Sequence, residues 1–213
     1  MSEKWDEKVI ELAKSLINCQ SYSGHEDKAA EALKAYMKET GVFDEIETDC
    51  YGNVIGHIKG KNPGPKVLFD GHIDTVPVGN LKDWKHDPFH AVVEDGKLYG
   101  RGTSDDKGPL VSSLFAMKYL ADNQLIPKDT CLRMIVGTDE EESWQCIRYY
   151  LDHAEILPQV SIVPDANFPL LYCEKGLLDF DLSSVESVDE RAEIQIVELK
   201  GGRSRNIVPD EAS

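Results

Sequence analysis

Alternating apolar segments constrain the fold of this chain more than any other feature of its sequence. Short apolar runs at 67–69, 131–136 and 161–163 are typical of buried strands, and the patterned segments 109–120 and 140–154 are typical of helices. The order is strand, helix, strand, helix, strand, and helical crossovers of this kind join parallel strands. We therefore predict an α/β domain with a mostly parallel sheet flanked by helices.

Two amphipathic helices are predicted before the first of these strands. Apolar residues recur at helical spacing over 5–16 and again over 29–37. Ser23 followed three residues later by Glu26 is the pattern of a capping box, and Gly41 stands where a helix commonly ends. We predict that Ser23 and Glu26 cap the second helix.

Other strands are predicted outside this alternation. Residues 53–58 form a short apolar run bounded by turn-forming residues. Residues 92–99 contain Asp95-Gly96, which is a strong signal for a hairpin. The helix over 109–120 is apolar on nearly every face and has Pro109 in its first turn, so we expect it to be buried.

The pattern changes near the end of the sequence. Strand-like runs at 177–182 and 194–199 are separated by a polar, acidic stretch. A pair of strands alone is only marginally stable in water. We predict one α/β domain over 1–178, and the tail over 179–213 either docks on the main sheet or begins a second domain.

Composition excludes several classes of partner. The chain has 39 Asp and Glu against 23 Lys and Arg, a formal net charge of -16. This charge repels nucleic acid phosphates and anionic membranes, so neither is expected as a partner. The charged first residues do not resemble a signal peptide, and the five widely spaced cysteines contain no Cys-x-x-Cys pair. We expect a cytoplasmic protein with reduced thiols.

Carboxylates and one imidazole collect at the predicted carboxyl ends of strands and amino ends of helices. These residues are Asp70, His72, Asp74, Asp105, Asp106, Glu140, Glu141 and Asp165. Ligands bind at this edge of open α/β sheets, and the side-chain types suit a divalent cation. In extended backbone His72 and Asp74 point to one face, so Asp74 can accept from the imidazole while its other nitrogen meets a metal.

Each group also has an ordinary structural explanation. An Asp at 105 or 106 can cap a helix, the acids of 139–142 can stabilise a helix amino terminus, and Asp165 can be a turn residue. Only their convergence favours a site. The remaining histidines are interpreted as structural or solvated, and they are His25, His57, His86, His90 and His153.

Four segments of the sequence carry a resemblance to a known family. They are Gly71 to Pro77, Gly100 to Gly108, Gly137 to Glu141 and Pro164 to Ala166. In order and spacing they resemble motifs of the metal-dependent aminoacylase and dipeptidase family, which includes carnosinases, carboxypeptidase G and bacterial dipeptidase V. The resemblance implies a zinc-exopeptidase-like catalytic domain followed by an α+β lid domain, here incomplete.

The resemblance also implies a role for individual residues. The implied metal ligands are His72 and Asp165 on one ion, Asp105 bridging both ions, and Glu141 on the second. Glu140 would be the general base and Asp74 would orient the imidazole. The peptide between Asp105 and Asp106 would be cis, and Asn206 would face the substrate.

The sequence departs from the family pattern in one respect. Family members are longer, and their chain returns to the catalytic sheet with a further histidine ligand for the second metal. The last histidine here is His153, so that ligand is missing from this sequence. We interpret the chain as the amino-terminal part of such a protein, with an unfinished lid.

The expected function is hydrolysis of an amide bond in dipeptides or acyl-amino acids, with two divalent cations activating water. Zinc is expected first, with manganese or cobalt as alternatives, and a homodimer is a possible assembly. The main alternative is a non-catalytic piece that binds metal incompletely and self-associates. A metallophosphoesterase is disfavoured because such sites usually use more histidines.

Overall fold

The computed structural model describes residues 3–59, 65–167, 169–176, 178, 180 and 201. The chain forms two compact units, 1–171 and 172–213. The predicted strands at 177–182 and 194–199 lie almost wholly outside the described residues, and Asn206 lies outside them entirely. The predicted domain boundary after 178 stays a prediction.

The described part of the first unit begins with two helices, continues with five strands, and then alternates between helix and strand. The helices are α1 Glu3–Ile17, α2 Asp27–Thr40, α3 Lys107–Asp122 and α4 Gln145–His153, with a 3-10 turn at Leu81–Asp83. The strands are β1 Glu45–Thr48, β2 Val54–Ile58, β3 Pro65–His72, β4 Val92–Glu94, β5 Lys97–Tyr99, β6 Cys131–Gly137 and β7 Val160–Ile162. No helix of the described residues is long and apolar enough to cross a bilayer.

The main sheet has the strand order β1-β2-β6-β3-β7. β3 is parallel to both β6 and β7, whereas β2 is antiparallel to both of its neighbours. Consequently β1, β6, β3 and β7 run in one direction and β2 runs against them. This confirms the predicted α/β fold with a mostly parallel sheet. β4 and β5 form the predicted hairpin around Asp95 and Gly96.

One face of the sheet is covered by α1, α2 and α3 and holds the larger core. Its fully buried members include Leu33 of α2, Leu114 and Met117 of α3, and Val136 of β6. α3 is buried along much of its length, and Pro109 lies in its first turn, as predicted. We call this side the α3 face.

The opposite face is covered by α4, and its core is small. Ile55, Leu68, Ile135 and Tyr150 form its buried apolar cluster. Side chains alternate along a strand, so Leu68 and His72 of β3 lie on this side. We call it the α4 face.

Two local predictions are wrong. Ser23 and Glu26 do not form a capping box, because Glu26 is the N-cap residue without a side-chain cap bond. Glu26 instead accepts from the Gly24 amide (2.6 Å), and the Ser23 hydroxyl donates to Asp74 (2.7 Å). The buried Asp74 therefore accepts the hydrogen bond of the hydroxyl that was predicted to cap the helix.

The fourth helix begins later than predicted. α4 starts at Gln145, whereas the sequence pattern placed its start at Glu140. Residues 139–143 form turns, and Trp144 has a left-handed backbone with φ 62°. The acids after β6 therefore lie in a turn and not in the first turn of a helix.

Candidate metal centre

The candidate residues follow the ends of adjacent strands. His72 is the last residue of β3 and pairs in register with Gly137, the last residue of β6. The turn carrying Glu140 and Glu141 follows β6, and Asp165 lies beyond β7. Because these three strands are parallel, their carboxyl ends meet at one edge of the sheet.

The His72 imidazole is the centre of this group. Its Nε2 atom lies 3.0 Å from Asp105 Oδ1, 3.5 Å from Asp165 Oδ2 and 3.8 Å from Glu140 Oε2. The imidazole is only 2% exposed, whereas Asp105 and Asp165 are partly open to solvent. A buried nitrogen thus faces three carboxylates that open toward solvent.

Two sets of donor atoms have the spacing of a metal site. One is His72, Glu140 and Asp165, and the other is His72, Asp105 and Glu141, with the donor atoms of each set within 4.8 Å of one another. Carboxylates at such distances repel each other unless a cation or proton lies among them. An imidazole with several carboxylates is a donor set that zinc and manganese accept. The residues present therefore fit divalent cations.

Asp74 is fully buried and contacts both His72 and the acidic turn after β6. One of its carboxylate oxygens lies 3.3 Å from His72 Nδ1. The same carboxylate accepts from the backbone amides of Glu140 (3.2 Å) and Glu141 (3.1 Å), and from Ser23. The Asp74 carboxylate thus contacts both the imidazole and the backbone of the acidic turn, and the Asp74 backbone carbonyl lies 3.1 Å from His72 Nδ1.

Several hydrogen bonds and nearby charges together outweigh the effect of burial on the pKa values of His72 and Asp74. Burial would lower the pKa of His72, but hydrogen bonds to Asp105, Asp165 and Asp74 raise it above its ordinary value. Burial would raise the pKa of Asp74, but hydrogen bonds from His72 and Ser23 hold it below its ordinary value. Asp74 is therefore an anion in the folded protein.

Other carboxyl groups at this edge are shifted in the opposite direction. Burial raises the pKa of Glu141 and of Asp106 to about 7 in each case, and that of Asp70 to about 6. Burial also raises the pKa of Glu140. Loss of solvent and mutual repulsion both penalise the charged forms, so the edge favours positive charge.

Asp106 is a buried neighbour of His72 whose orientation the sequence did not predict. The Asp105–Asp106 peptide is cis, as the resemblance implied. Asp106 is fully buried, and its Oδ2 atom accepts from the backbone amide of His72 (3.2 Å). The adjacent acids Asp105 and Asp106 predicted one metal ligand. Nothing in the sequence pattern indicated that their two side chains point in opposite directions.

Comparison with known proteins is consistent with this geometry. Residues 68–202 match the model of Peptidase family M20/M25/M40, which is more than half of the chain. The α/β fold with a mostly parallel sheet matches that of the catalytic domains of this family. The chain belongs to Peptidase family M20/M25/M40.

Similar sequences are known from bacteria. YtjP of Bacillus subtilis (strain 168), which bears the provisional name of a dipeptidase, is 39% identical over 177 residues, covering 83% of this chain and 37% of the relative. A Staphylococcus saprophyticus protein with the same provisional name is 32% identical and covers 99% of this chain and 46% of the relative. The chain thus spans less than half the length of these relatives.

Solved structures share the fold. An M20 family metallo-carboxypeptidase of Sulfolobus solfataricus superposes with a TM-score of 0.58 at 26% identity, covering 77% of this chain and 37% of that one. A dinuclear metal binding peptidase of the same family from Bacillus subtilis gives 0.56 at 21% identity, covering 76% and 43%. At its lower identity the second match shows the fold alone.

Proposed function

We propose that this chain carries the metal-binding and water-activating residues of a dinuclear metallopeptidase that hydrolyses dipeptides or acyl-amino acids. The observation that carries the proposal is the convergence of four carboxylates on His72, in two donor sets that share this imidazole. Membership of a peptidase family supports amide hydrolysis. The dipeptidase names of the bacterial relatives support a small substrate.

The proposed ligands divide between two ions. His72 and Asp165 would hold one, Glu141 would hold the second, and Asp105, whose Oδ1 lies 3.0 Å from His72 Nε2, would be a ligand to both. Divalent cations bound there would polarise the scissile carbonyl and lower the pKa of a bound water toward neutrality. Zinc is the proposed ion, with manganese or cobalt as alternatives.

Glu140 is the proposed general base. Its carboxylate lies on the same side as His72 Nε2, and its backbone amide is fixed by Asp74. In this role Glu140 accepts the proton of the attacking water and returns it to the leaving amine. Asp74 positions the imidazole, and Asn206 is proposed to contact the substrate.

The test is to load the chain with zinc, manganese or cobalt, and to measure metal content and hydrolysis of a dipeptide and an N-acyl-amino acid. We expect tight metal binding that His72→Ala abolishes, together with hydrolysis of one substrate class. His90→Ala is the matched control, because His90 is exposed and lies outside both donor sets. Failure to retain any divalent cation would refute the proposal.

A second candidate is a non-catalytic polypeptide that binds metal incompletely and self-associates. Its support is β7, the outermost strand of the described sheet, with Val160 56% and Ile162 44% exposed. An exposed apolar edge strand can pair with another copy. Size-exclusion chromatography with light scattering separates the candidates: a metal-loaded, hydrolytic monomer supports the enzyme, and an inert dimer supports this alternative.

We also propose a cytoplasmic location. Cys50 and Cys173 are exposed free thiols in the structure. Exposed free thiols are typical of reducing compartments.

A further inference from the structure

A cavity of about 260 Å³ lies on the α4 face, between the sheet and α4. Its lining includes Arg133 of β6 and the rings of Tyr149 and His153. None of the proposed metal ligands contributes to it. It is therefore a separate feature of the molecule, and it is small beside the roughly 300–1,000 Å³ of pockets for drug-sized ligands.

Arg133 is the unusual member of this lining because it is a buried cation. It is only 7% exposed. Its Nη1 atom donates to the Tyr150 hydroxyl (2.6 Å) and to the Ile156 carbonyl (3.2 Å). Its Nε–H group is buried and has no acceptor among the described residues.

The guanidinium also lacks an anionic partner within the described parts of the chain. No described carboxylate lies within the 4.0 Å of an ion pair with Arg133, although several such pairs form elsewhere. Taking a cation out of water is costly unless an anion accompanies it. A buried guanidinium with a spare donor, facing a cavity, is suited to a carboxylate ligand.

The rim of the cavity restricts the charge of such a ligand. Glu47, Asp49 and Glu155 line the cavity, Glu47 and Glu155 are exposed, and the chain as a whole carries a net charge of -16. A multiply charged anion such as phosphate would be repelled there. A zwitterion complements both kinds of charge: its carboxylate would pair with the guanidinium, and its ammonium would lie near the lining carboxylates.

The walls of the cavity favour a flat apolar group. The Tyr149 and His153 rings stack with centroids 3.9 Å apart and an interplanar angle of 16°. Ile55 adds an apolar contact surface. Aromatic groups pack well on such surfaces.

We propose that this cavity binds a free α-amino acid with an aromatic side chain. The carboxylate pairs with Arg133, the ammonium faces Glu47 and Glu155, and the side chain packs against Tyr149 and His153. The site is independent of the metal centre, so its test does not depend on catalysis.

The first experiment is calorimetric titration of the chain with L-phenylalanine in excess EDTA, which prevents binding through a metal ion. We expect saturable binding of one molecule per chain. Phenethylamine, which lacks the carboxylate, and 3-phenylpropanoate, which lacks the ammonium, should each bind at least about tenfold more weakly. Absence of saturation up to roughly 10 mM, or equal binding of phenethylamine, would overturn the proposal.

The second experiment uses variants checked for folding by circular dichroism. Arg133→Met should weaken L-phenylalanine binding at least about tenfold. Arg148→Met is the control, because Arg148 is an exposed arginine of α4 that does not line the cavity, and it should bind normally. Unchanged binding in a folded Arg133→Met variant would place the ligand elsewhere and refute the assignment.

A third variant covers the case in which Arg133→Met does not fold. Tyr149 is only partly buried, so Tyr149→Ala should preserve the fold. It should weaken binding of L-phenylalanine more than binding of L-alanine, because only the phenyl ring contacts the aromatic wall. Equal losses for the two amino acids would contradict the proposed orientation.

Discussion

The α3 face and the α4 face of the sheet are built from the same strands but do different work. The α3 face is closed by three helices over a large apolar core. The α4 face has a core of four buried residues, and it also carries Arg133 and the imidazole of His72. Because side chains alternate along a strand, the candidate functional residues lie on the α4 face, which one helix covers, and most of the apolar core lies on the α3 face.

β3 shows this division within a single strand. Val67 and Phe69 pack against the larger core, whereas Leu68 belongs to the smaller cluster and His72 faces the carboxylates. Gly71 lies between, on the α3 face, where an added Cβ would be 2.6 Å from Asp106 Oδ2. His72 can end this strand because the layer of residues that covers the α4 face is incomplete.

The largest expected effect is on turnover and concerns the candidate metal centre at the carboxyl ends of the strands. Glu140→Gln should lower dipeptide turnover by roughly 10²–10⁴-fold in the zinc-loaded chain, because the amide cannot accept a proton. Metal content and the unfolding midpoint should not change. Glu142→Gln, in the same acidic turn but exposed, is the control and should keep full turnover. More than a tenth of normal turnover in Glu140→Gln would remove this residue from the role of base.

The next effect compares the two cores directly. Leu114→Ala on the α3 face should lower the free energy of unfolding by about 3 kcal/mol, because its neighbours cannot close the cavity. Leu68→Ala on the α4 face should cost less, about 2 kcal/mol, because its cluster is small and its surroundings can relax. Urea unfolding of both variants in EDTA measures the difference. An equal or larger loss for Leu68→Ala would show that the faces do not differ in rigidity.

A smaller effect compares one glycine on each face. Gly71→Ala should cost about 1–3 kcal/mol, because the new methyl group would press on the buried Asp106 carboxylate and on Leu110. At Gly137 the nearest atom to an added Cβ is Cys146 Sγ, at 3.1 Å, so Gly137→Ala should be tolerated better. Thermal unfolding of the two variants decides between these outcomes. A smaller loss of stability for Gly71→Ala than for Gly137→Ala would mean that α3 shifts to accommodate a methyl group more readily than α4 does.

The sequence predicted the succession of strands and helices along the chain and the convergence of the donor residues, because both follow from local patterns. Apolar runs marked β3, β6 and β7, and acids placed after such strands meet at one edge whatever the rest of the chain does. His72 and Asp74 were predictable for the same reason, since extended backbone fixes their common face.

The predictions that failed depended on contacts between distant segments. Ser23 has the local pattern of a helix cap, but its hydroxyl donates to Asp74, 51 residues away. The acids after β6 have the pattern of a helix start, but two amides of their turn are taken by the same Asp74 carboxylate. Arg133 stood in an apolar run and gave no signal at all, because burial of its guanidinium depends on Tyr150 and Ile156.

The smallest expected effect belongs to Glu26, a buried carboxyl group at the start of α2, one of the helices that cover the α3 face. Burial raises the pKa of Glu26, at the start of α2, from 4.5 to about 7, with smaller contributions from Asp74 and Asp139. The folded chain therefore holds a proton that the unfolded chain releases, and stability falls as pH rises from about 4.5 through about 7. Glu26→Gln should remove this loss, so its gain over the parent chain should be greater at pH 8 than at pH 5 in urea unfolding with EDTA. Glu31→Gln is the control on the same helix, because Lys34 lowers the pKa of Glu31 and the sign of the effect reverses. A Glu26→Gln gain that does not change with pH would show that burial does not raise the pKa of Glu26 in the folded chain.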